Sequence, residues 1–329
     1  MPQIASARYL RFGLNESRER RRSVLIERLL ARAEPAALTR DWRRDAFEVI
    51  AADGAPMPGV APCAWWAEQA RMGIRPAAAG ATGLPGTRVS GAARAGTVLL
   101  ATPVEYLAEM SNVRLADTGI LAVAPEEATA LAADFGRVLG DGETRLAAAP
   151  SGRLFCMHNR EIVGTTCDPQ SAAGRHIQEF LPSGRDGAPL RRLMSEMEMW
   201  LYEHEVNRRR TAAGLPVVSG LWLWGGGPQL ESLPPTHGSA AGDDPLFDAF
   251  QVSATAARGD AAVMAVAAQP GGAAWRELDA CWLEPTLAAL EAGRVAELRL
   301  SAGQRSFRLT GRGLRRFWRR PRPWWEHFT

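Results

Sequence analysis

The stretch from Leu190 to Pro228 reads LRRLMSEMEMWLYEHEVNRRRTAAGLPVVSGLWLWGGGP, and it decides which fold we expect. Its first half predicts an amphipathic helix that packs one side against a sheet. The residues predicted on that side are Met194, Met197, Glu198, Leu201 and Tyr202. Gly214 ends the helix and Pro216 prevents its continuation, so Val217 to Trp224 is expected to form a buried strand. A helix followed by a buried strand indicates an α/β arrangement.

Three polar residues near the end of this helix form a candidate binding site. His204, Asn207 and Arg210 are three residues apart, so on a helix they present one row of polar side chains. The row either binds an anion or a protein partner, or it caps the helix and ties it to the following turn, since buried polar groups mostly satisfy the backbone.

Three consecutive glycines, Gly225, Gly226 and Gly227, form a second candidate site. They are predicted to lie in a loop after the strand, where open α/β sheets place their ligands. Successive backbone N–H groups in such a loop can form a concave nest for an anion, and the alternative is a tight packing turn. The loop has neither GxGxxG nor GK[ST] and is therefore not a nucleotide fingerprint.

The same stretch carries a resemblance to a known family. Glu203 to Asn207 with Arg210, then Gly214-Leu215-Pro216 and Trp222 to Gly227, resemble a block of the cofactor-independent phosphoglycerate mutases of archaeal type. The block is closer still to their proteobacterial relatives, the RpfE-type regulatory proteins. Members of that branch are often encoded beside a RecJ-type single-strand DNA exonuclease, which implies a protein partner in DNA processing.

The resemblance implies the fold of the alkaline phosphatase superfamily, with a nucleophilic serine and two metal ions held by Asp and His. The expected metal-binding motifs are not found in this sequence. Residues 1–15 contain no Asp, and the nearest Asp-Gly pair, Asp53-Gly54, lies in a Pro-rich region without a preceding buried strand. We therefore expect no metal and no cofactor, and the sequence assigns no catalytic residue.

The remaining candidate ligands and nucleophiles have simpler interpretations. The best cluster of metal donors lies in a Gly/Ser/Pro loop typical of a solvated turn, and consists of His237, Asp243 and Asp244. Zinc-type donors whose spacing matches no common zinc module are Cys156, His158, Cys167 and His176. Hydroxyl nucleophiles for which the sequence identifies no base are Thr165, Thr166 and Ser219.

The amino-acid composition excludes two kinds of chemistry and predicts the cellular compartment. All 39 basic residues are arginine, so Schiff-base chemistry and a GK[ST] phosphate loop are both excluded. The N-terminus lacks the apolar stretch of a signal peptide and no run of eighteen apolar residues occurs, so we expect a cytoplasmic protein with no membrane contact. The four scattered cysteines predict reduced thiols.

The elements predict a central, mostly parallel sheet flanked by helices, alkaline-phosphatase-like but reduced, with a C-terminal β-hairpin and a short basic helix. Residues 1–95 are expected to be a helical and loop-rich region, and residues 96–329 an α/β, phosphoglycerate-mutase-like region that forms one compact unit. Predicted helices are near 24–30, 65–72, 125–139 and 282–292. Predicted strands are 97–101, ended by Thr102-Pro103, then 119–123 and 261–267, with hairpins at 144–157 and 296–309.

The C-terminus is rich in arginine and aromatic residues. The residues that suit single-stranded nucleic acid are Arg312, Arg315, Arg316, Trp318, Arg319, Arg320, Arg322 and Trp324. Arginine binds phosphate, and aromatic rings stack on unpaired bases. The alternative is that Leu314, Phe317 and Trp318 pack a terminal helix while the arginines stay solvated or pair with some of the 36 acidic residues.

These observations predict a non-catalytic or degenerate relative of the phosphoglycerate mutases with a regulatory or scaffolding role, connected to DNA processing. Two alternatives stay open. One is a metal-dependent phosphoryl-transfer enzyme, a mutase or a phosphatase, and the other is a single-stranded nucleic-acid binding protein that uses the Arg/Trp C-terminus.

Overall fold

A computed structural model describes residues 8–11, 24–36, 48–50, 56–73, 96–110, 112–230, 283–294, 297–302 and 305–322. The chain divides into two units, residues 1–41 with 234–329, and residues 42–233. The predicted division after residue 95 falls at the edge of a range outside the described residues and stays a prediction. The predicted strand 261–267 also lies outside them.

The strands and helices are bounded as follows. The strands are β1 (Arg8–Arg11), β2 (Glu34–Ala36), β3 (Glu48–Ile50), β4 (Pro56–Pro58), β5 (Thr97–Ala108), β6 (Val113–Ile120), β7 (Thr144–Ala148), β8 (Leu154–His158), β9 (Gly220–Pro228), β10 (Glu297–Ala302) and β11 (Arg305–Thr310). The helices are α1 (Val24–Arg32), α2 (Val60–Arg71), α3 (Pro125–Val138), α4 (Pro169–Ala172), α5 (Gly187–Tyr202), α6 (Glu205–Ala212), α7 (Glu284–Glu291) and α8 (Gly311–Leu314), with a 3₁₀ turn at Ile177–Phe180.

The unit of residues 42–233 is built on a five-stranded sheet of order β6-β5-β8-β7, with β9 paired to β5. Every pairing in this sheet is antiparallel, so the predicted mostly parallel sheet is wrong. For two of the four pairings, the reason is the length of the connection. Only residues 109–112 join β5 to β6 and only residues 149–153 join β7 to β8, whereas a parallel pair needs a crossover of a dozen residues or more.

Strand β5 is longer than the sequence predicts. Pro103 was expected to end it, but the strand continues to Ala108 because neighbours on both sides keep it extended. On one side Pro103 pairs with Leu221 of β9. On the other, the Pro103 carbonyl accepts a hydrogen bond from the Leu121 N–H at 2.9 Å. Ladder partners far along the chain thus override the local turn signal.

Helices cover this sheet and bury its apolar residues. Helix α2 packs against β5 and β9, α3 against β7, and α5 against β9. The largest fully buried side chains of this unit are Trp222, Phe135, Phe155, Leu99, Leu115 and Leu131. Helix α3 begins at Pro125 as predicted, and the Glu127 carboxylate accepts a hydrogen bond from the Ala124 N–H at 2.8 Å, which stabilises the first turn.

The helix predicted from residue 190 to Gly214 is broken in two. Helix α5 ends at Tyr202, and α6 begins at Glu205 after His204, which has extended backbone angles of φ −68° and ψ 141°. The buried residues Met194, Met197 and Leu201 confirm the predicted apolar side of α5, but Tyr202 is 84% exposed. The break turns His204 from a mid-helix residue into the N-cap of α6.

The unit of residues 1–41 with 234–329 contains a four-stranded sheet of order β1-β10-β11-β2. Strands β10 and β11 are antiparallel, which confirms the predicted C-terminal hairpin. Strand β1 runs parallel to β10. In the described parts of both units, every helix is too short or too polar to traverse a lipid bilayer.

Candidate functional site

His204 is held between the two helices of the stretch 190–228. Its Nδ1 atom accepts a hydrogen bond from the Val206 N–H at 3.1 Å, which caps α6. Its Nε2 atom lies 3.1 Å from Asp134 Oδ2 on α3, and its ring meets Trp200 edge-on with ring centroids 4.9 Å apart. The side chain is 5% exposed. Burial lowers the pKa of His204 below its ordinary value, while the Asp134 carboxylate acts in the opposite direction.

Asn207 joins α5, α6 and the chain that leads into β9. Its Nδ2 atom donates to the carbonyls of Leu201 and Val218, both at 2.8 Å. Its Oδ1 atom accepts from the Val218 N–H at 2.8 Å. Both amide protons and the carbonyl oxygen are therefore used inside the protein, where Asn207 is 6% exposed.

Arg210 is also buried and bonded within the chain. Its Nε atom donates to the Pro216 carbonyl at 2.7 Å, and its Nη1 atom lies 2.8 Å from Glu127 Oε2 and 3.5 Å from the Ala122 carbonyl. Its side chain is 5% exposed. Arg210 thus ties α6 to the turn that follows it and to the start of α3.

The structure brings the three predicted residues together as one buried polar row. The row caps α6 and holds the turn before β9, which agrees with the capping interpretation. Anion or partner binding by these residues stays a prediction. Their acidic partners, Glu127 and Asp134, were missed because they lie 83 and 70 positions away along the chain. The one available signal was the placement of Glu127 in the first turn of α3.

The three glycines lie inside β9 and not in a loop after it, so the predicted loop is wrong. The register shifts here: Leu100 pairs with Trp224 and Val98 pairs with Gly227, so two residues of β9 stand opposite Leu99. This is a β-bulge, and Gly225 adopts the φ of +66° that such a bulge requires of its glycine. The bulge lets β9 continue through the glycines.

Close packing leaves little room for a side chain at position 225. A Cβ atom there would lie 3.2 Å from the Val60 Cβ atom at the start of α2. The Gly225 N–H donates to Thr166 Oγ1 at 3.2 Å. Gly225 is therefore closely packed, as the packing interpretation predicts. An anion nest at Gly225, Gly226 and Gly227 stays a prediction.

The other candidate ligands and nucleophiles are dispersed. Thr166 is 2% exposed. Burial raises the pKa of the Cys156 thiol to about 12, and lowers the pKa of His158 together with the nearby Arg160. Within the described ranges, no three His, Cys, Asp or Glu side chains converge on a point suited to a metal ion. Asp53-Gly54 and the cluster of His237, Asp243 and Asp244 lie outside those ranges. Strand β3 ends at Ile50, so a strand does precede the Asp53-Gly54 pair.

A buried carboxylate that the sequence does not reveal ties α2 to the turn between β7 and β8. Glu68 is 2% exposed, and it accepts a hydrogen bond from Ser151 Oγ at 2.5 Å. Arg153 Nη1 lies 3.4 Å from the same carboxylate oxygen. The partners are more than 80 residues from Glu68 along the chain, so no local pattern predicts them.

The C-terminal candidates divide into exposed and bonded residues. Trp318 is 67% exposed. The exposed arginines are Arg312, Arg315, Arg319, Arg320 and Arg322. Arg316 instead donates a hydrogen bond to Glu34 Oε1, and Arg316 is the main reason that the pKa of Glu34 is lowered. Trp324 lies outside the described residues.

Comparison with known proteins shows partial similarity to one class of enzyme. No family model matches the chain. Over 96 residues, 27% of this chain and 24% of the relative, it is 34% identical to a 2,3-bisphosphoglycerate-independent phosphoglycerate mutase of Methanothrix thermoacetophila. Over 141 residues, 41% of this chain and 35% of the relative, it is 28% identical to the mutase of the same name from Methanosarcina barkeri.

Two solved structures align over most of their length. They are the cofactor-independent phosphoglycerate mutase of Thermoplasma acidophilum, with a TM-score of 0.32, 12% identity and coverage of 93% of this chain and 90% of that one, and the PH0037 protein of Pyrococcus horikoshii, with a TM-score of 0.36, 10% identity and coverage of 94% and 88%. TM-scores of this size do not establish a shared fold.

Part of this chain is thus similar in sequence to the archaeal cofactor-independent phosphoglycerate mutases, which confirms the coarser part of the resemblance. The matching segments span about a quarter to a third of the length of the curated relatives.

Proposed function

We propose that this chain is a non-catalytic, phosphoglycerate-mutase-like protein of the RpfE-type branch, with a reduced alkaline-phosphatase-like fold and a regulatory or scaffolding role in the cytoplasm. Sequence similarity to the mutases supports the first half of this proposal. The proposed lack of catalysis rests on the hydrogen bonds made by the polar residues of the stretch 190–228.

The observation that carries the proposal is the internal bonding of His204, Asn207 and Arg210. Phosphoryl transfer needs donors and charges that are directed at the position of the transferred group. Asn207 instead donates both amide protons to main-chain carbonyls. Arg210 donates from Nε to the Pro216 carbonyl and from Nη1 to the Glu127 carboxylate. These side chains stabilise the scaffold. The function proposed for this region is contact with another molecule.

A protein partner suits the apolar surface of the same region. Four of the exposed large apolar side chains fall between residues 199 and 217, namely Met199, Tyr202, Leu215 and Val217. A contiguous exposed apolar patch favours protein contacts, and the proposal takes these four side chains to form one. The resemblance names a RecJ-type exonuclease as the partner to test first.

The loss of catalysis is tested by metal analysis of the purified protein, followed by hydrolysis of p-nitrophenyl phosphate with added Mn²⁺. We expect no bound transition metal and no hydrolysis above a protein-free blank, with an archaeal mutase assayed in parallel as the positive control. Two transition-metal ions per chain together with Mn²⁺-dependent turnover would overturn the proposal in favour of a phosphoryl-transfer enzyme.

The partner contact is tested by co-elution of the protein with a purified RecJ-type exonuclease in size-exclusion chromatography. The double variant Met199→Glu/Tyr202→Glu is expected to abolish co-elution. Met110→Glu is the control, because Met110 is fully exposed and lies outside the stretch 190–228. Absence of co-elution with the unaltered protein contradicts this choice of partner.

A further inference from the structure

Two aromatic rings stand exposed after helix α8. Phe317 is 77% exposed and Trp318 is 67% exposed. Their rings meet edge to face, with centroids 5.5 Å apart and planes at 80°. The interpretation that these two rings pack a terminal helix is therefore wrong. Large aromatic side chains gain most from burial, so rings left in water favour a partner that covers them.

The segment that bears the rings is anchored on its other side. The Thr310 hydroxyl accepts a hydrogen bond from the Gly313 N–H at 3.3 Å and so caps α8. Gly313 is buried, and a Cβ atom there would lie 3.2 Å from the Arg32 carbonyl oxygen at the end of α1. Arg316 donates to Glu34 at the start of β2. The backbone is held against α1 and β2, and the rings of Phe317 and Trp318 are left facing solvent.

The charged residues of the segment that bears the rings all have the same sign. Residues 312–322 contain six arginines and no acidic residue. The Glu34 carboxylate offsets one of them, Arg316. Five exposed guanidinium groups therefore surround two exposed rings within eleven residues.

We propose that residues 312–322, which we call the Arg/aromatic segment, bind single-stranded nucleic acid. The rings of Phe317 and Trp318 stack on unpaired bases, and the exposed arginines contact the phosphates. A duplex hides the faces of its bases and so cannot use the rings. A membrane surface is less suited, because α8 has only four residues and presents no extended apolar face. This binding site is separate from the proposed scaffolding role, and either can fail without the other.

The test measures binding of a fluorescein-labelled oligothymidylate to the full chain by fluorescence anisotropy. Stacking on one aromatic ring contributes about 5- to 150-fold in affinity, so Phe317→Ala/Trp318→Ala is expected to raise the Kd by roughly tenfold or more. Met110→Ala is the control, because Met110 is a fully exposed large apolar residue in the other unit and lies outside the proposed partner surface, and it is expected to leave the Kd unchanged.

The arginines are tested separately by salt dependence. Each phosphate contact contributes roughly 0.7 to the slope of log affinity against log salt for a single strand. Arg319→Gln/Arg320→Gln is therefore expected to reduce the slope by about 1.4. Arg208→Gln/Arg209→Gln removes the same charge from exposed positions of α6 and is expected to leave the slope unchanged.

Three results would overturn the proposal. One is equal loss of affinity in a variant and its matched control, which would indicate unspecific attraction to net charge. Another is equal binding of the oligonucleotide and of the corresponding duplex. The third is the lack of oligonucleotide binding by the unaltered protein, whether or not vesicles containing phosphatidylserine bind through the same rings. Circular dichroism of each variant shows that the fold is kept.

Discussion

Arg210 Nη1 lies 2.8 Å from Glu127 Oε2, and this contact joins the end of α6 to the first turn of α3. The same carboxylate oxygen accepts the Ala124 N–H at 2.8 Å. One acidic side chain thus caps a helix and neutralises a guanidinium group that is 5% exposed. The pair explains how the charge of Arg210 is accommodated inside the protein.

A double-mutant cycle measures this contact. We expect Arg210→Met and Glu127→Gln to show a coupling free energy of about 1–2 kcal/mol in urea unfolding, because the pair is largely removed from water. Glutamine at position 127 keeps an acceptor for the Ala124 N–H. The control cycle is Arg209 with Glu205, an exposed pair 3.1 Å apart, for which about 0.5 kcal/mol or less is expected. Equal coupling in the two cycles contradicts the structural role of Arg210.

Asn207→Leu removes three hydrogen bonds at once. The buried Leu201 carbonyl and the N–H and carbonyl of Val218 then lose their hydrogen bonds to the Asn207 amide. Each unsatisfied buried group costs roughly 1–3 kcal/mol, so we expect a loss of about 3 kcal/mol or more in the free energy of unfolding. Arg208→Leu, next to it but exposed, is the control and is expected to change stability by less than about 1 kcal/mol. A small effect at Asn207 would show that the row is not structural.

Gly225→Ala tests the bulge in β9. Alanine at a positive φ costs about 1–2 kcal/mol by itself. Gly214 has a φ of +68° and nothing within 4 Å of an added Cβ atom, so Gly214→Ala measures the backbone term alone. At Gly225 the new methyl group also meets Val60. Gly225→Ala is therefore expected to be the more destabilising of the two in urea unfolding, and the reverse order contradicts the close packing of α2 on the bulge.

The buried imidazole of His204 makes stability depend on pH. Burial lowers the pKa of His204 below the 6.5 expected for the unfolded chain, so just below that pH the unfolded state binds more protons than the native state. The free energy of unfolding therefore falls as pH decreases through this range. His204→Asn keeps an N-cap acceptor but does not titrate. We expect the unaltered protein to lose more stability than His204→Asn between about pH 7 and about pH 5, measured by urea unfolding at each pH.

Local patterns predicted the elements whose signals are local. Pro125 marks the start of α3, and the turn signals Pro150-Ser151-Gly152 and Ser301-Ala302-Gly303-Gln304 in the sequence mark the two hairpins. The predicted parallel direction of the central sheet is wrong, because β9 pairs with β5 across more than a hundred residues and no local pattern encodes that partner.

The candidate site was predicted in its residues but not in its surroundings. His204, Asn207 and Arg210 do come together, yet their spacing says nothing of Asp134 and Glu127, which approach from α3. The three glycines were predicted after a strand because consecutive glycines are typical of loops. In the protein, a single bulge at Gly225 and pairing with β5 keep them in the strand.

The most direct test of the central claim is a mutase assay, in which phosphoglycerate is incubated with the purified protein and Mn²⁺ and its isomers are followed by phosphorus NMR. If His204, Asn207 and Arg210 serve only to hold the helices together, we expect no interconversion above the protein-free reaction. Interconversion that requires Mn²⁺ and is lost in Arg210→Met, while that variant still folds, would contradict the account.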